Sequence, residues 1–194
     1  MPPLVLASTS RYRRELLERM RVPFRVLSAE VDESPRPGET TTALAGRLAE
    51  AKARAVAERC PGMLVLGSDQ VADLDGRALG KPGSIEAACR QLAECSGRTV
   101  RFHTAACLVD NRASPPSAML ETDTTCVIFR SIDADAIARY VDAERPLDCA
   151  GSFKMEGLGI SLFERIESND PTALIGLPLI AVARLLRAAG CALP

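Results

Sequence analysis

The sequence predicts an α/β fold: a mixed, twisted sheet with flanking helices. Three observations carry that reading. Strand-like and helix-like segments alternate through the first half of the chain, strand-like segments cluster later, and 194 residues with 47% hydrophobic and 25% charged side chains suffice for one compact domain spanning residues 1–194. In open sheets of this class, ligands collect beyond the carboxyl ends of the strands.

Taken in order, Leu4–Ala7 reads as a short buried strand. Ser8, Thr9 and Ser10 then offer N-caps to a helix with Leu16, Leu17 and Met20 on one side. Phe24–Leu27 reads as a second strand, and the proline- and glycine-bearing Val31–Gly38 as a loop. From Thr41 to Arg59 the pattern is helical, with Leu44, Leu48, Ala51 and Ala55 as the buried stripe and Arg47, Glu50, Arg54 and Glu58 as the outer one. Met63–Leu66 is an apolar strand expected to end in Gly67-Ser68-Asp69, leaving a carboxylate at its tip. Asp75-Gly76 signals a hairpin. A helix is predicted over Ser84–Cys95, strands over Val100–Asp110 and Thr122–Phe129, a helix over Asp133–Tyr140, and a closing helix over Pro178–Ala189. The segment Cys149–Gly157, if extended, would set Ser152, Lys154 and Glu156 on one face and Phe153 and Met155 on the other.

Composition removes several chemistries. With 24 basic and 25 acidic residues the chain lacks the basic excess of a nucleic-acid polymer binder. One histidine, His103, rules out multi-histidine metal sites, and no GxSxG elbow accompanies it. Any metal must be a hard cation held by oxygen. The seven cysteines form no CxxC pair, and the start carries no secretory pattern, so reduced thiols and a cytoplasmic location are expected. The longest apolar stretch, Leu174–Ala183, is too short for a membrane span.

Four places carry candidate chemistry. Arg11, Arg13 and Arg14 crowd the first turn of a helix, where cations oppose the helix dipole unless an anion binds there. Asp69 is placed to bind a cation or accept a proton from water, with Asp32 and Glu33 as further oxygen donors. Gly80-Lys81-Pro82 fails as a phosphate loop, since its spacing is one residue short and proline replaces Ser/Thr, but Lys81 remains a point charge for phosphate. Lys52, at the edge of the buried stripe, either snorkels to solvent or faces a cleft.

The order of these features is more specific than any one of them. Leu-Ala-Ser-Thr-Ser-x-x-Arg-Arg at residues 6–14, Glu-Val-Asp-Glu at 30–33, Ala-x-x-Lys ending at Lys52, Gly-Ser-Asp-Gln-Val at 67–71 and Gly-Lys-Pro at 80–82 occur together. From about residue 4 to residue 188 the chain resembles the Maf-like nucleotide pyrophosphatases. Gln70, the stretch Cys149–Gly157 and Ile175-Gly-Leu-Pro-Leu179 make it most similar to the branch acting on 7-methyl-GTP.

The resemblance implies two lobes around a central cleft, as in Maf and ITPase-like folds, and release of diphosphate from a nucleoside triphosphate. It implies Asp69 as proton acceptor, and Tyr12, Gln70 and Lys154 as specificity positions. Ser8, Arg13, Glu33, Lys52 and Lys81 match the family's polar cleft residues. Beside it, the chemistry of the side chains assigns Ser8, Arg13, Lys52 and Lys81 to phosphates, Glu33 and Asp69 to Mg2+ or Mn2+, and Glu156 to a cationic base. Tyr12 departs from the tryptophan common in that branch but keeps an aromatic face. Two alternatives stay open: a pyrophosphatase for dTTP, UTP or CTP, and a nucleotide-binding regulator of septum formation without turnover. Assembly as a homodimer is open to the chain.

Overall fold

The structure is a computed structural model that describes residues 2–194. Its centre is one seven-stranded mixed sheet. Strand β1 (Leu4–Leu6) lies parallel to both β2 (Phe24–Val26) and β3 (Leu64–Leu74), as the crossover helices α1 (Arg11–Glu18) and α2 (Thr41–Ala57) require. Beyond β3 every pairing is antiparallel: β5 (Thr99–Asp110), β6 (Ser117–Phe129) and β7 (Phe163–Glu167) follow in turn. Strand β4 (Arg77–Leu79) folds back on β3 through Asp75 and Gly76, both at positive φ, as a two-residue hairpin turn demands. Helices α3 (Ile85–Cys95), α4 (Ala134–Glu144) and α5 (Leu179–Ala188) complete the layers.

Local chemistry accounts for the helix starts. Of the three candidate hydroxyls, Ser10 caps α1 by accepting from the Arg13 N–H. Thr40, Ser84 and Asp133 cap α2, α3 and α4 in the same way.

Apolar side chains sort by sheet face. Leu4, Leu6, Leu64, Leu66 and Leu108 pack under α1 and α5, whereas Val5, Val65, Ala105 and Cys107 pack under α2. A further core gathers Phe102, Phe129 and Phe153 with α3 and α4, forming the second lobe. One sheet thus runs through both lobes.

Several sequence expectations need correction. Strand β3 does not stop at Asp69. It runs eleven residues, to Leu74, because β5 pairs with it continuously from Leu64 to Asp73. The strand that ends near the cleft is β1, whose pairing with β3 stops at Leu6–Leu66. Strand β4 joins that same edge only at Ala72. Residues 67–71 of β3 therefore have an open edge, and the cleft forms there. On α2 the buried side is Leu44, Ala45, Leu48, Ala49, Ala53 and Val56, while Ala51 and Ala55 are only half-buried. The helix is rotated toward the sheet on its small residues. Cys149–Gly157 is not a strand: it makes a 3-10 turn over Ala150–Ser152, with Gly151 and Ser152 at positive φ, and then irregular backbone. Ser152 is buried and donates to Gln91 Oε1, so Ser152, Lys154 and Glu156 do not form the expected polar face. Strand β7, with two glutamates and an arginine among five residues, showed no clear alternation and was not anticipated.

Candidate active site

The open edge of β3 explains how neighbours on a strand can share one site. Asp69 and Gln70 project to opposite faces of the sheet. With no strand alongside, the hollow wraps the edge and touches both. It is a cavity of about 870 Å3.

Its floor is set by Asp69, 8% exposed, and Lys52, 9% exposed. Lys52 donates from Nζ to Asp69 Oδ1 at 2.6 Å and lies 2.6 Å from Glu33 Oε1. Lys52 therefore faces the cleft rather than snorkelling. The contact exists because α2 rides very close to β3: a Cβ on Gly67 would fall 2.2 Å from the Ala49 carbonyl oxygen. The Lys52 hydrogen bond, with Lys81 and Arg13 nearby, holds the Glu33 carboxyl below its ordinary range.

Of the three arginines on α1, only Arg13 turns inward. Arg11 and Arg14 pair with Glu15 and Glu18 along the exposed helix face. Arg13 donates from Nε to the Gly176 carbonyl at 2.9 Å and from Nη1 to Ser8 Oγ at 3.5 Å. Burial pulls its pKa down while Asp69 and Glu33 hold it up. Ser8 does not line the cavity itself; it supports Arg13 from behind. Lys81 is exposed on the rim and makes no ion pair among the described residues.

The opposite end has different chemistry. Tyr12 lies there with Asp148, Cys149 and Glu156; burial, followed by those three groups, raises its pKa. Asp148 escaped the sequence reading, although it immediately precedes the stretch singled out there. Lys154 lines the cavity, but its Nζ donates to the Glu144 carbonyl at 3.1 Å and lies 3.9 Å from Glu144 Oε1. It is tied to the end of α4. The Gln70 amide nitrogen is engaged by Thr104 Oγ1 and the carbonyls of Ala173 and Leu174, at 2.9–3.1 Å. That orientation leaves Oε1 as the free acceptor. Of the sequence candidates, Tyr12, Arg13, Glu33, Lys52, Asp69, Gln70, Lys81, Lys154 and Glu156 meet at one hollow, whereas Ser8, Arg14 and Asp32 stay outside it; cations and two carboxylates lie at one end and an aromatic, acidic group at the other.

Glu33 sits on a loop without regular structure, and its position needs an account. Asp32 Oδ1 accepts from the Ser34 N–H at 2.9 Å, and Arg47 Nη2 donates to the Ser34 carbonyl at 3.0 Å. Arg47 is itself held by a two-point pair with Glu39, at 2.6 and 2.8 Å. That pair pushes the Glu39 pKa down to about 2. Arg47→Ala is expected to loosen the Glu33 loop and lower kcat/KM by about tenfold, a typical effect of losing a supporting partner. The folded-state pKa of Glu39 lies below the unfolded value, so the pair's stabilising effect is complete above about pH 4.5 and is lost as pH falls toward about 2. Unfolding midpoints of wild type and Arg47→Ala should converge over that window; a constant gap down to pH 2 would remove Glu39 from the account.

Glu33 and Asp69 are hard oxygen donors that touch one common cation, the Lys52 ammonium. That chemistry fits Mg2+, which takes one or two carboxylates and completes its shell with water and phosphate oxygens. No helix among the described residues is long and apolar enough to cross a membrane.

Known proteins resemble this sequence along nearly its whole length. The family described as Maf-like protein matches residues 3–189. A 7-methyl-GTP pyrophosphatase of Xanthomonas oryzae pv. oryzae is 60% identical over 194 residues, covering all of both chains. A protein of the same name from Burkholderia thailandensis is 56% identical over 193 residues, covering 98% of this chain and 89% of the relative. Among solved structures, the Staphylococcus aureus Ham1 protein superposes with a TM-score of 0.51 at 16% identity, covering 96% of this chain and 97% of the other; that likeness is one of fold.

Proposed function

The chain belongs to the Maf-like protein family, and on that premise we propose that it hydrolyses 7-methyl-GTP to 7-methyl-GMP and diphosphate, removing a modified nucleotide from the pool. The observation that carries the reading is the polarity of this hollow: Arg13, Lys52 and Lys81 at one end, and Tyr12 with Asp148 and Glu156 at the other. A triphosphate tail is strongly anionic, whereas a 7-methylguanine base carries positive charge. The hollow matches that order of charges.

Arg13, Lys52 and Lys81 hold the phosphates and neutralise charge on the leaving diphosphate. Asp69 takes a proton from the attacking water as its oxygen bonds to the α-phosphorus and the bond from that phosphorus to the bridging oxygen breaks. Glu33 and Asp69 would hold a divalent cation, Mg2+ or Mn2+, which when bound supplies charge neutralisation and acidifies nearby water. The base stacks on Tyr12, with Glu156 and Asp148 facing its charge and the Gln70 Oε1 accepting from a base N–H. Lys154 acts from behind, fixing the irregular segment that carries Glu156.

Rates of diphosphate release from 7-methyl-GTP, GTP, dTTP, UTP, CTP and ITP test this directly. The preference for 7-methyl-GTP over GTP should fall by about 5- to 30-fold in Tyr12→Ala, the span of a partly desolvated cation–π contact. Unchanged selectivity would remove the stacking role, and a wild-type preference for a pyrimidine triphosphate would overturn the base assignment.

A further inference from the structure

Lys52 is not simply one of three phosphate ligands. Its ammonium sits between the two carboxylates suited to a divalent cation, 2.6 Å from each, on a side chain that is 11% exposed. Arg13 and Lys81 add positive charge nearby. A dication approaching Glu33 and Asp69 therefore meets an occupied position inside a cationic surround.

We propose that the Lys52 ammonium is a built-in stand-in for the divalent cation: it holds the Glu33 and Asp69 pair in the free enzyme, and it gives the pair up when metal arrives together with the triphosphate. The inference rests on the hydrolase reading above and deepens it. Three features of the site support the exchange. The pair of carboxylates bears two negative charges, and one lysine compensates only one of them. The second partner, Glu33, lies on an exposed loop and can follow an incoming cation, whereas Asp69 is fixed in a strand that β5 pairs continuously along one edge. The released ammonium has an obvious destination, since its helix faces the same hollow that receives the phosphates. Triphosphate also screens Arg13 and Lys81. Metal and nucleotide should then load as a unit, and the site should resist bare metal.

Mn2+ binding to the nucleotide-free protein, read by the loss of the free-ion EPR signal, tests the exchange without reference to turnover. Lys52→Met should bind Mn2+ about tenfold more tightly than wild type, a coupling of ordinary size between two competing occupants. Lys52→Arg, which keeps the cation, should stay near wild type. Adding Glu33→Gln or Asp69→Asn to Lys52→Met should abolish the gain. If Lys52→Met is not folded by circular dichroism, Lys52→Gln serves, with the same expectation. Equal or weaker Mn2+ binding in the folded neutral variant overturns the proposal, as does a gain that survives loss of either carboxylate. Failure of the hydrolase reading shows itself separately, as absence of diphosphate from wild type with 7-methyl-GTP.

Discussion

Replacing Asp69 by asparagine lowers diphosphate release from 7-methyl-GTP by about 10²–10⁴-fold, the range expected for a lost proton acceptor. The substitution keeps the side chain's shape and removes its charge. Removing one partner of a buried ion pair commonly costs about 3–5 kcal/mol, because the other charge is left alone. Here Lys52 retains Glu33 at 2.6 Å, so the loss of stability should be smaller than that and the protein should remain folded. Kinetics with saturating 7-methyl-GTP and a thermal unfolding curve on the same preparation separate the two effects. A folded Asp69→Asn variant retaining more than about a tenth of wild-type kcat would remove Asp69 from the chemistry.

Gly67→Ala is expected to have the largest effect on stability of any single methyl added to the site. The new Cβ would lie 2.2 Å from the Ala49 carbonyl oxygen and 2.7 Å from the Ala53 nitrogen, both backbone atoms of α2. No flexible side chain can yield there, so the helix must move away from the sheet. Overpacking of this kind costs about 1–3 kcal/mol, and a clash with backbone belongs at the upper end. The same displacement carries Lys52 away from Asp69, so activity should fall beyond what the lost stability explains. Gly80→Ala is the control: its added carbon meets nothing within 4 Å, and its unfolding midpoint should match wild type. Equal denaturation midpoints for Gly67→Ala and wild type would show that α2 does not depend on this contact to sit where it does.

These two substitutions touch residues of different legibility. Asp69 stood out in the sequence because a carboxylate following an apolar run, inside Gly-Ser-Asp-Gln-Val, is chemically conspicuous. Gly67, two positions earlier, carries no such mark. Its role comes from a helix laid across the strand, an arrangement of residues that are distant in sequence. Lys52 shows the same division. Its place beside a buried stripe was readable, but whether it reached solvent or a cleft depended on the rotation of α2, which small side chains at Ala45, Ala49 and Ala53 decide by letting that face pack closest. Asp148 and the clamp of Arg47 on the Glu33 loop were likewise beyond reach, being contacts across irregular chain.

By itself the sequence determined the order of most strands and helices, the cap of α1 within Ser8–Ser10, and Arg13, Glu33, Asp69 and Lys81 as candidates for one polar site. Those depend on periodicity, capping chemistry and residue type, which act over a few neighbouring positions, whereas Tyr12, Gln70 and Lys154 were singled out as specificity positions only through the family resemblance. Tertiary structure decided that β3 runs past Asp69, that the gap between β1 and β4 opens one edge of it, and that Cys149–Gly157 turns rather than extends. It also decided that Lys52 bridges Glu33 and Asp69. The physical reason is common to all four: each follows from which segment lies alongside another, and pairing and close packing between distant segments leave no local trace in the residues that undergo them.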